Sequence, residues 1–440
     1  MASRKATAGL VALAATTALV LTSCSGGSAS DPNNTIDGEV SGEITVLTNR
    51  TDLVSDGTFD AYAEEFNKTY PDVTVTFEGV NDYENAVKTR LNGSSYGDVL
   101  AIPAAVKPAQ FAQFFEPLGE TAEFAETYRY TSKHSYDGTQ YAIASGGNAN
   151  GIVYNKKVFE EAGITELPTS EAEWLDMLET IKDSTDAIPL YTNYKDGWPL
   201  SQGMGSLGAV TNDPEAAIHM AENTAPWTEG SDIYAIDSLL FESVAAGLTE
   251  SDPLTTDWET SKTDLGSGKI ATMILGSWSI SQMQAAAEKA GASADDIGYM
   301  AWPASVDGTQ YATNDGDYGY GISKHSDNKA AAWAWIQFFT EESGYSEAQG
   351  MVPTLASAPL PENLSGLEEA GVVLIEPAPA PAGQESLLSD TANDAQVDIY
   401  GQVYRQKLVD IARGAADGDK ASAFAELNDR WSAAVEKNAG

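Results

Sequence analysis

The sequence predicts an α/β protein in which helices pack on mainly parallel β-sheets. Strand-like segments alternate with helix-like segments from residue 43 onward, the pattern of βαβ units that set parallel strands side by side. Residues 270–275 form an unbroken apolar run, as expected of a strand buried on both faces. The length of 440 residues is enough for about two or three domains.

The first 23 residues have the organisation of an export signal. Arg4 and Lys5 precede a short segment of Ala, Leu and Thr, too short for a stable membrane span. The segment ends in Leu-Thr-Ser-Cys, which resembles the bacterial lipobox, whose cysteine is lipidated. The alternative is a plain secretory signal with an incidental cysteine. We predict that Cys24 is the lipidated N-terminus and that residues 24–42, rich in Ser, Gly and Asp, form a flexible tether.

The folded body begins with three strand-like segments separated by helical patterns. Residues 43–48 and 73–77 alternate β-branched and polar side chains, and residues 98–102 form a third apolar segment that a proline ends. Between the first two strands, aromatic residues recur at helical spacing from Phe59 to Tyr70. This order predicts a parallel sheet whose loops follow the carboxyl ends of its strands.

Four later segments combine strand and loop signals. Residues 142–153 are rich in Gly, Ala and Asn, and residues 188–198 join a short strand to a loop of aromatic, amide and carboxylate side chains. Residues 296–303 predict a strand that ends at Trp-Pro. Residues 313–321 contain Asn, Asp and Gly, but their spacing does not fit an EF-hand, so we interpret them as a turn.

The segment after residues 270–275 is the most informative one in the chain. Gly276 ends the strand, and Ser277 or Ser279 is expected to cap a following helix. Trp278 therefore lies at the carboxyl end of a strand, where ligands bind in open α/β sheets. The alternative is a core tryptophan at a tight corner.

Composition excludes several classes of function. The chain has 65 acidic against 24 basic residues, a formal charge of −41, so neither nucleic acid nor an anionic membrane surface is an expected partner. The one cysteine excludes an internal disulfide. His134, His219 and His325 are far apart and lack metal-ligand spacing. We expect no metal and no cofactor.

Several motifs together carry a family resemblance. Gly-Lys-Ile-Ala-Thr-Met followed by Gly-Ser-Trp covers residues 268–278, Gly-Ile-Val-Tyr-Asn-Lys covers residues 151–156, and Gly-Ile-Ser-Lys-His-Ser begins the segment 321–339. These stretches resemble the extracellular solute-binding proteins of ABC importers, in the carbohydrate-binding family that includes maltose-binding protein. The resemblance extends over roughly residues 43–435.

The resemblance implies a periplasmic-binding-protein-like fold of two lobes joined by three hinge crossings. Lobe 1 would comprise residues 43–148 and 312–349, and lobe 2 residues 149–311 and 350–440. The crossings would lie near residues 146–151, 302–318 and 351–353. An ordinary loop remains the alternative for the first crossing.

The resemblance also implies that Trp278 stacks on a sugar ring. Indole and phenol faces pack on the C–H faces of pyranoses, and planar polar side chains pair with sugar hydroxyls. Side chains of these kinds in the expected cleft loops, together with a methionine at the third crossing, give the candidate ligand-binding set: Asn49, Arg50, Asn148, Asn193, Tyr194, Asp196, Trp198, Trp278, Trp302, Asp317, Tyr318 and Met351.

The function that these expectations predict is binding without catalysis. A lipid-anchored monomer on the extracytoplasmic face of the cell membrane would capture a mono- or oligosaccharide and deliver it to ABC permease subunits; the expected ligand is an oligosaccharide. The sequence contains no P-loop, nucleophile elbow or His-containing triad motif. A secreted glycoside hydrolase and a structural or adhesive surface lipoprotein remain the alternatives.

Overall fold

A computed structural model describes residues 34–81, 83–103, 106–381 and 383–438. The predicted signal, Cys24 and the first part of the tether lie outside the described residues. Over the part of the chain that is described, no helix is long and apolar enough to cross a membrane.

The strands, in chain order, are β1 Gly42–Thr48, β2 Val73–Gly79, β3 Val99–Ala101, β4 Gly119–Glu120, β5 Ser135–Tyr136, β6 Thr139–Gln140, β7 Ala142–Ala144, β8 Gly147–Asn155, β9 Ile188–Leu190, β10 Ile270–Gly276, β11 Ile297–Met300, β12 Tyr311–Gly316, β13 Gly319–Ile322 and β14 Val373–Ile375.

The α-helices are α1 Thr51–Ser55, α2 Thr58–Phe66, α3 Tyr83–Arg90, α4 Phe111–Phe114, α5 Thr121–Phe124, α6 Lys156–Glu161, α7 Glu171–Ser184, α8 Ala216–Glu222, α9 Asp232–Ala245, α10 Trp258–Gly266, α11 Ser279–Lys289, α12 Lys329–Glu341, α13 Tyr345–Ala348, α14 Ser365–Glu369, α15 Leu387–Ala395, α16 Val403–Ala412 and α17 Lys420–Asn438. Short 3-10 helices cover Pro108–Gln110, Thr131–His134, Trp198–Ser206, Pro253–Thr255, Ala294–Asp296 and Glu362–Leu364.

The first large sheet has the strand order β2-β1-β3-β13-β7. Strands β1, β2 and β3 are parallel, and β13 runs antiparallel to both of its neighbours. Helices α2 and α12 pack against it through a stacked set of rings, in which Phe59 and Phe339 are 5.8 Å apart and Phe339 and Trp335 are 5.9 Å apart between centroids. We refer to this sheet and its helices as lobe 1.

The second large sheet, which defines lobe 2, has the order β14-β12-β8-β10-β9, with β11 paired to β8. Strand β8 runs antiparallel to β10, β11 and β12, while β9 and β10 are parallel. Each sheet is thus mainly parallel and contains one reversed strand. The reversed strands are β8 and β13, which start where the chain enters lobe 2 and returns to lobe 1.

A buried ion pair fixes the C-terminal helices on lobe 2. The Arg405 Nε and Asp237 Oδ1 atoms are 2.9 Å apart, and the two side chains are 1% and 0% exposed. The Trp227 indole donates to the same carboxylate at 2.7 Å, and the Arg405 guanidinium also donates to the Ile399 carbonyl at 2.7 Å. Because the charges are buried, removing either partner would leave the other uncompensated.

Three chain segments pass between the two sheets and hydrogen-bond to one another. The Ser145 amide donates to the Tyr318 carbonyl and the Asp317 amide donates to the Gly146 carbonyl, both at 2.9 Å. Gly147 and Val352 exchange two backbone hydrogen bonds of 2.7 and 2.8 Å. The crossings therefore form one side-by-side bundle of backbone between the sheets, the arrangement expected of a hinge.

The ring of Tyr130 lies directly on this bundle. Tyr130 has a positive φ of 63°, a strained conformation for a residue with a side chain. A Cβ atom placed on Gly147 would come within 2.2 Å of the Tyr130 Cζ and hydroxyl oxygen, and one placed on Gly316 would come within 2.7 Å of Tyr130 Cβ. The two crossing strands therefore require glycine where the tyrosine ring approaches them.

We expect Gly147→Ala to lower the free energy of unfolding by about 1–3 kcal/mol, because the new methyl group would force the Tyr130 ring out of its place. Chemical denaturation monitored by circular dichroism measures this. Gly93→Ala is the matched control, since the nearest atom to its new Cβ is the Arg90 carbonyl oxygen at 3.5 Å. Equal losses in both variants would contradict the close packing at the crossing.

Candidate functional site

A cleft of about 540 Å³ opens between the two lobes beside the crossing bundle. Its walls come from the loop after β1, the start of α11, the crossing segments and α13. The residues that line it are Asn49, Arg50, Asp52, Ser145, Trp278, Ser281, Gln282, Ala285, Asp317, Tyr318, Tyr320, Tyr345, Gln349 and Met351.

Trp278 is placed in the cleft by the abrupt end of β10. A Cβ atom on Gly276 would come within 2.6 Å of the Trp278 Nε1, so the indole can fold back over the strand end only because residue 276 is glycine. The residue is half-buried and precedes α11 directly. Its exposed ring surface therefore faces the space between the lobes.

The two serines beside Trp278 do not cap α11, which corrects the expectation from sequence. The helix begins without a side-chain cap. Ser277 instead accepts a hydrogen bond of 3.0 Å from the Ala149 amide of β8, and Ser279 donates to the Gly276 carbonyl at 2.8 Å. Both hydroxyls serve to fix the turn against the sheet.

Arg50 is the one cationic side chain among the described residues that line the cleft. Its Nε and Nη2 donate to the two carboxylate oxygens of Asp52 at 3.0 and 2.8 Å, and its Nη1 donates to Gln349 Oε1 at 2.7 Å and to the Tyr345 hydroxyl at 3.3 Å. The guanidinium thus joins the loop after β1 to α13. The hydrogen bonds from Arg50 lower the pKa of Asp52, so that carboxylate stays ionised.

Three tyrosines with neutral hydroxyl groups are among the residues that line the cleft. Burial raises the pKa of Tyr345 to about 12, and burial also raises the pKa of Tyr318 and Tyr320. The Tyr318 hydroxyl donates to Glu84 at 2.6 Å, and the Tyr320 hydroxyl lies 3.0 Å from the Thr48 hydroxyl. All three phenols remain protonated near neutral pH. Tyr318 is half-buried, whereas Tyr320 and Tyr345 are 2% and 5% exposed and contribute little surface to the cleft.

Each crossing segment contributes a lining residue, namely Ser145, Asp317 and Met351. Asp317 Oδ1 accepts a hydrogen bond of 2.9 Å from the Tyr318 amide, which fixes the carboxylate against its own backbone. The His134 Nε2 lies 3.2 Å from the Asp317 carbonyl oxygen and so supports this segment. Burial lowers the pKa of His134 to about 4. A ligand in the cleft would therefore contact the hinge itself.

The structure brings half of the predicted site residues together in the cleft: Asn49, Arg50, Trp278, Asp317, Tyr318 and Met351. Trp198 is outside the lining but contacts the Trp278 ring, with 5.9 Å between the centroids. Asn148 lies on β8 opposite Asp315, and its side-chain oxygen is enclosed.

The remaining four predicted residues lie outside the cleft lining. Trp302 packs in the lobe 2 core and is 2% exposed, and Asn193 is 0% exposed. The Tyr194 hydroxyl donates to both Asp410 carboxylate oxygens at 3.0 Å. Asp196 accepts from the Trp258 amide at 2.6 Å. The last two side chains hold loops in place rather than line the cleft.

Sequence reasoning missed several lining residues that helical spacing could have identified. Once α11 begins after Trp278, residues three, four and seven positions further along share its face. These are Ser281, Gln282 and Ala285, and all three line the cleft. Tyr345 and Gln349 are likewise four residues apart, on and just after α13, although nothing in the sequence placed α13 beside β1.

The chemistry of the cleft suits a neutral polar ligand. Its charged side chains are Arg50, Asp52 and Asp317, and the first two are paired with each other. Within the described residues, no group of three or more His, Cys, Asp or Glu side chains could hold a metal ion. One half-buried indole surrounded by amides, hydroxyls and phenols defines a site that binds through stacking and hydrogen bonds.

Two sheets joined by three crossings, with a cleft at the crossings, define a two-lobed binding protein. A family model for bacterial extracellular solute-binding proteins matches residues 51–345. The chain belongs to this family, and the predicted two-lobed α/β fold is confirmed.

Two solved structures of the family are similar over nearly the whole chain. BlMnBP1 of Bifidobacterium animalis subsp. lactis, an ABC-transporter binding protein in complex with mannobiose, is 37% identical with a TM-score of 0.79, over 91% of this chain and 96% of that one. BlMnBP2 of the same organism, a manno-oligosaccharide-specific binding protein in complex with mannotriose, is 35% identical with a TM-score of 0.78, over 90% and 95% of the two chains.

Curated relatives match over shorter lengths. The diacetylchitobiose-binding protein of Streptomyces coelicolor is 32% identical over 29% of this chain and 32% of its own length. The maltotriose-binding protein of Pyrococcus abyssi is 24% identical over 64% of this chain and 59% of its own length. The chain thus covers less than two thirds of both of these relatives.

Proposed function

We propose that this protein captures an oligosaccharide in the interlobe cleft and delivers it to the permease subunits of an ABC importer. Trp278 carries the proposal, because a half-buried indole facing a cleft of neutral polar groups suits the C–H face of a pyranose. The complexes of BlMnBP1 and BlMnBP2 with mannobiose and mannotriose make manno-oligosaccharides the first ligands to test.

The ligand would act by favouring a closed arrangement of the lobes. Arg50, Tyr345 and Gln349 belong to the lobe 1 side of the cleft, whereas Trp278 and Gln282 belong to lobe 2. A sugar that contacts both sides gains its full set of interactions only when they approach each other, so binding shifts the population toward closure. The closed form is the one we expect the permease to recognise.

A glycoside hydrolase is the less favourable alternative. Hydrolysis requires two carboxyl groups facing one bond, one of them a general acid with a raised pKa. The carboxylates among the described lining residues are Asp52 and Asp317, and Arg50 lowers the pKa of Asp52. This direction is opposite to what a general acid requires.

Thermal unfolding of the purified protein with a panel of glycans tests the proposal. A ligand at about 100 times its Kd adds about 2.7 kcal/mol of apparent stability, enough for a clear rise in Tm. We expect mannobiose or mannotriose to raise the Tm and small-angle scattering to record a more compact particle. Recovery of shortened sugars would favour the hydrolase, and a flat response over the whole panel would contradict sugar capture.

Trp278→Ala should weaken sugar binding more than it weakens the fold. Loss of the stacking surface is expected to cost about 1–3 kcal/mol, by analogy with bases stacked on aromatic side chains, or roughly 5- to 150-fold in Kd.

Trp302→Ala is the matched control for Trp278→Ala. Trp302 is buried in the lobe 2 core, where truncation is expected to cost about 3–5 kcal/mol of folding free energy. Calorimetric titration and denaturation of both variants separate the two roles. A Trp278→Ala protein that binds as tightly as wild type would remove the basis of the proposal.

We further propose that Cys24 is lipidated and anchors the protein on the extracytoplasmic face of the cell membrane. The chain's one cysteine follows Leu-Thr-Ser at the end of an apolar segment, as in a lipobox. Cys24→Ala is expected to move the protein from the membrane fraction to the soluble fraction and to leave sugar binding unchanged. Ser23→Ala is a control that keeps the cysteine. Cys24→Ala protein that stays with membranes after a salt wash would contradict the anchor.

A further inference from the structure

Trp278 belongs to a cluster of three indoles, of which it alone lines the cleft. Its ring centroid lies 5.9 Å from that of Trp198 and 5.9 Å from that of Trp258. Trp198 and Trp258 meet edge to face at 5.0 Å and 76°. The two outer indoles thus form a corner against which the third one rests. Edge-to-face and tilted contacts at these distances are favourable beyond the apolar area they bury.

Three separate loops converge to build this corner. Trp198 ends the loop after β9, Trp258 begins α10, and Trp278 follows β10. Two hydrogen bonds tie the first loop to the second: the Lys195 amide donates to the Thr256 hydroxyl at 2.8 Å, and the Trp258 amide donates to Asp196 at 2.6 Å. The donors are backbone groups, so these ties survive replacement of the tryptophan side chains.

The ammonium group of a lysine lies over the Trp258 ring at one side of the cluster. The Lys262 Nζ lies 5.2 Å from the centre of the Trp258 ring and 2.7 Å from the Glu259 carboxylate. Lys262 lies one helical turn after Trp258 on α10, so the ammonium group and the indole that it covers belong to the same helix. Trp258 is thereby held between a cation and two other indoles.

We propose that Trp258 and Trp198 are positioning residues that fix the orientation in which Trp278 meets the sugar. The proposal rests on the proposed function, because it assigns these residues a role in the same site. Without these contacts, the half-buried Trp278 ring would retain motion about its two side-chain torsions and would lose that conformational entropy on binding. A ring already held in place avoids that loss, which raises affinity.

Trp258→Ala and Trp258→Phe test this, with Trp333→Ala as the matched control. Trp333 is also half-buried and contacts Phe124 at 6.0 Å, in lobe 1 outside the cleft lining. We expect Trp258→Ala to weaken binding of mannotriose, or of another sugar that binds wild type, by about 5- to 10-fold, the size of one lost aromatic pair. Trp258→Phe is expected to recover most of the affinity and Trp333→Ala to retain it.

A double-mutant cycle separates positioning from direct contact. If Trp258 acts through Trp278, then Trp258→Ala has no further effect on binding once Trp278 is alanine. The stability cost of losing Trp258 should persist in both backgrounds. Equal losses of affinity in the two backgrounds would contradict positioning, since they would mean that Trp258 acts on the ligand independently.

A measurement without ligand completes the test. The protein has nine tryptophans, and in full-length protein labelled with 5-fluorotryptophan the ¹⁹F resonance of Trp278 is assigned by its loss in Trp278→Phe. We expect that resonance to be single in wild type and to shift or broaden in Trp258→Ala but not in Trp333→Ala. An unchanged resonance would overturn the positioning role, whereas a wild-type protein that binds no sugar would contradict only the proposed function.

Discussion

The backbone hydrogen bonds among the three crossing segments are the constraint on which the rest of the structure depends. A single covalent link between two sheets would allow them to rotate about many axes. Here the segments through Gly146, Asp317 and Val352 are bonded side by side, so any relative motion of the lobes must preserve or exchange those bonds. The reversed strands β8 and β13 follow from the same geometry, because each begins where the chain turns back across the boundary.

The same bundle provides both the hinge between the lobes and part of the cleft wall. Ser145, Asp317 and Met351 line the cleft and lie within the crossings. Tyr130 packs on the same bundle through contacts that only glycine permits at residue 147. A ligand that touches these residues needs no relay to affect lobe closure, since its own contacts differ between the open and closed arrangements.

The aromatic side of the site depends on a second local constraint. Gly276 lets the Trp278 ring return over the end of β10, and the neighbouring loops supply Trp198 and Trp258 as a support. The polar side is arranged differently: Arg50 is held by Asp52, Gln349 and Tyr345 at once. Both arrangements limit side-chain motion before a ligand arrives, which is the condition for stacking and paired hydrogen bonds to contribute fully to affinity.

The sequence by itself determined the fold class, the order of strands and helices along the opening segment and the position of Trp278 after a strand, because hydrophobic periodicity and the Gly-Ser-Trp turn are local signals. The family followed from the resemblance of several short motifs. The sequence did not separate Trp302 from Trp278, because each of them follows a strand. Trp302 is 2% exposed because it packs in the lobe 2 core. Nor did the sequence indicate that Asp196 holds Trp258, that Arg405 pairs with Asp237, or that Gln349 meets Arg50. Those contacts join residues about 60 to 300 positions apart. Only the tertiary structure decides them, since loop residues of the same chemical type become ligand contacts or structural braces according to which distant segment packs beside them.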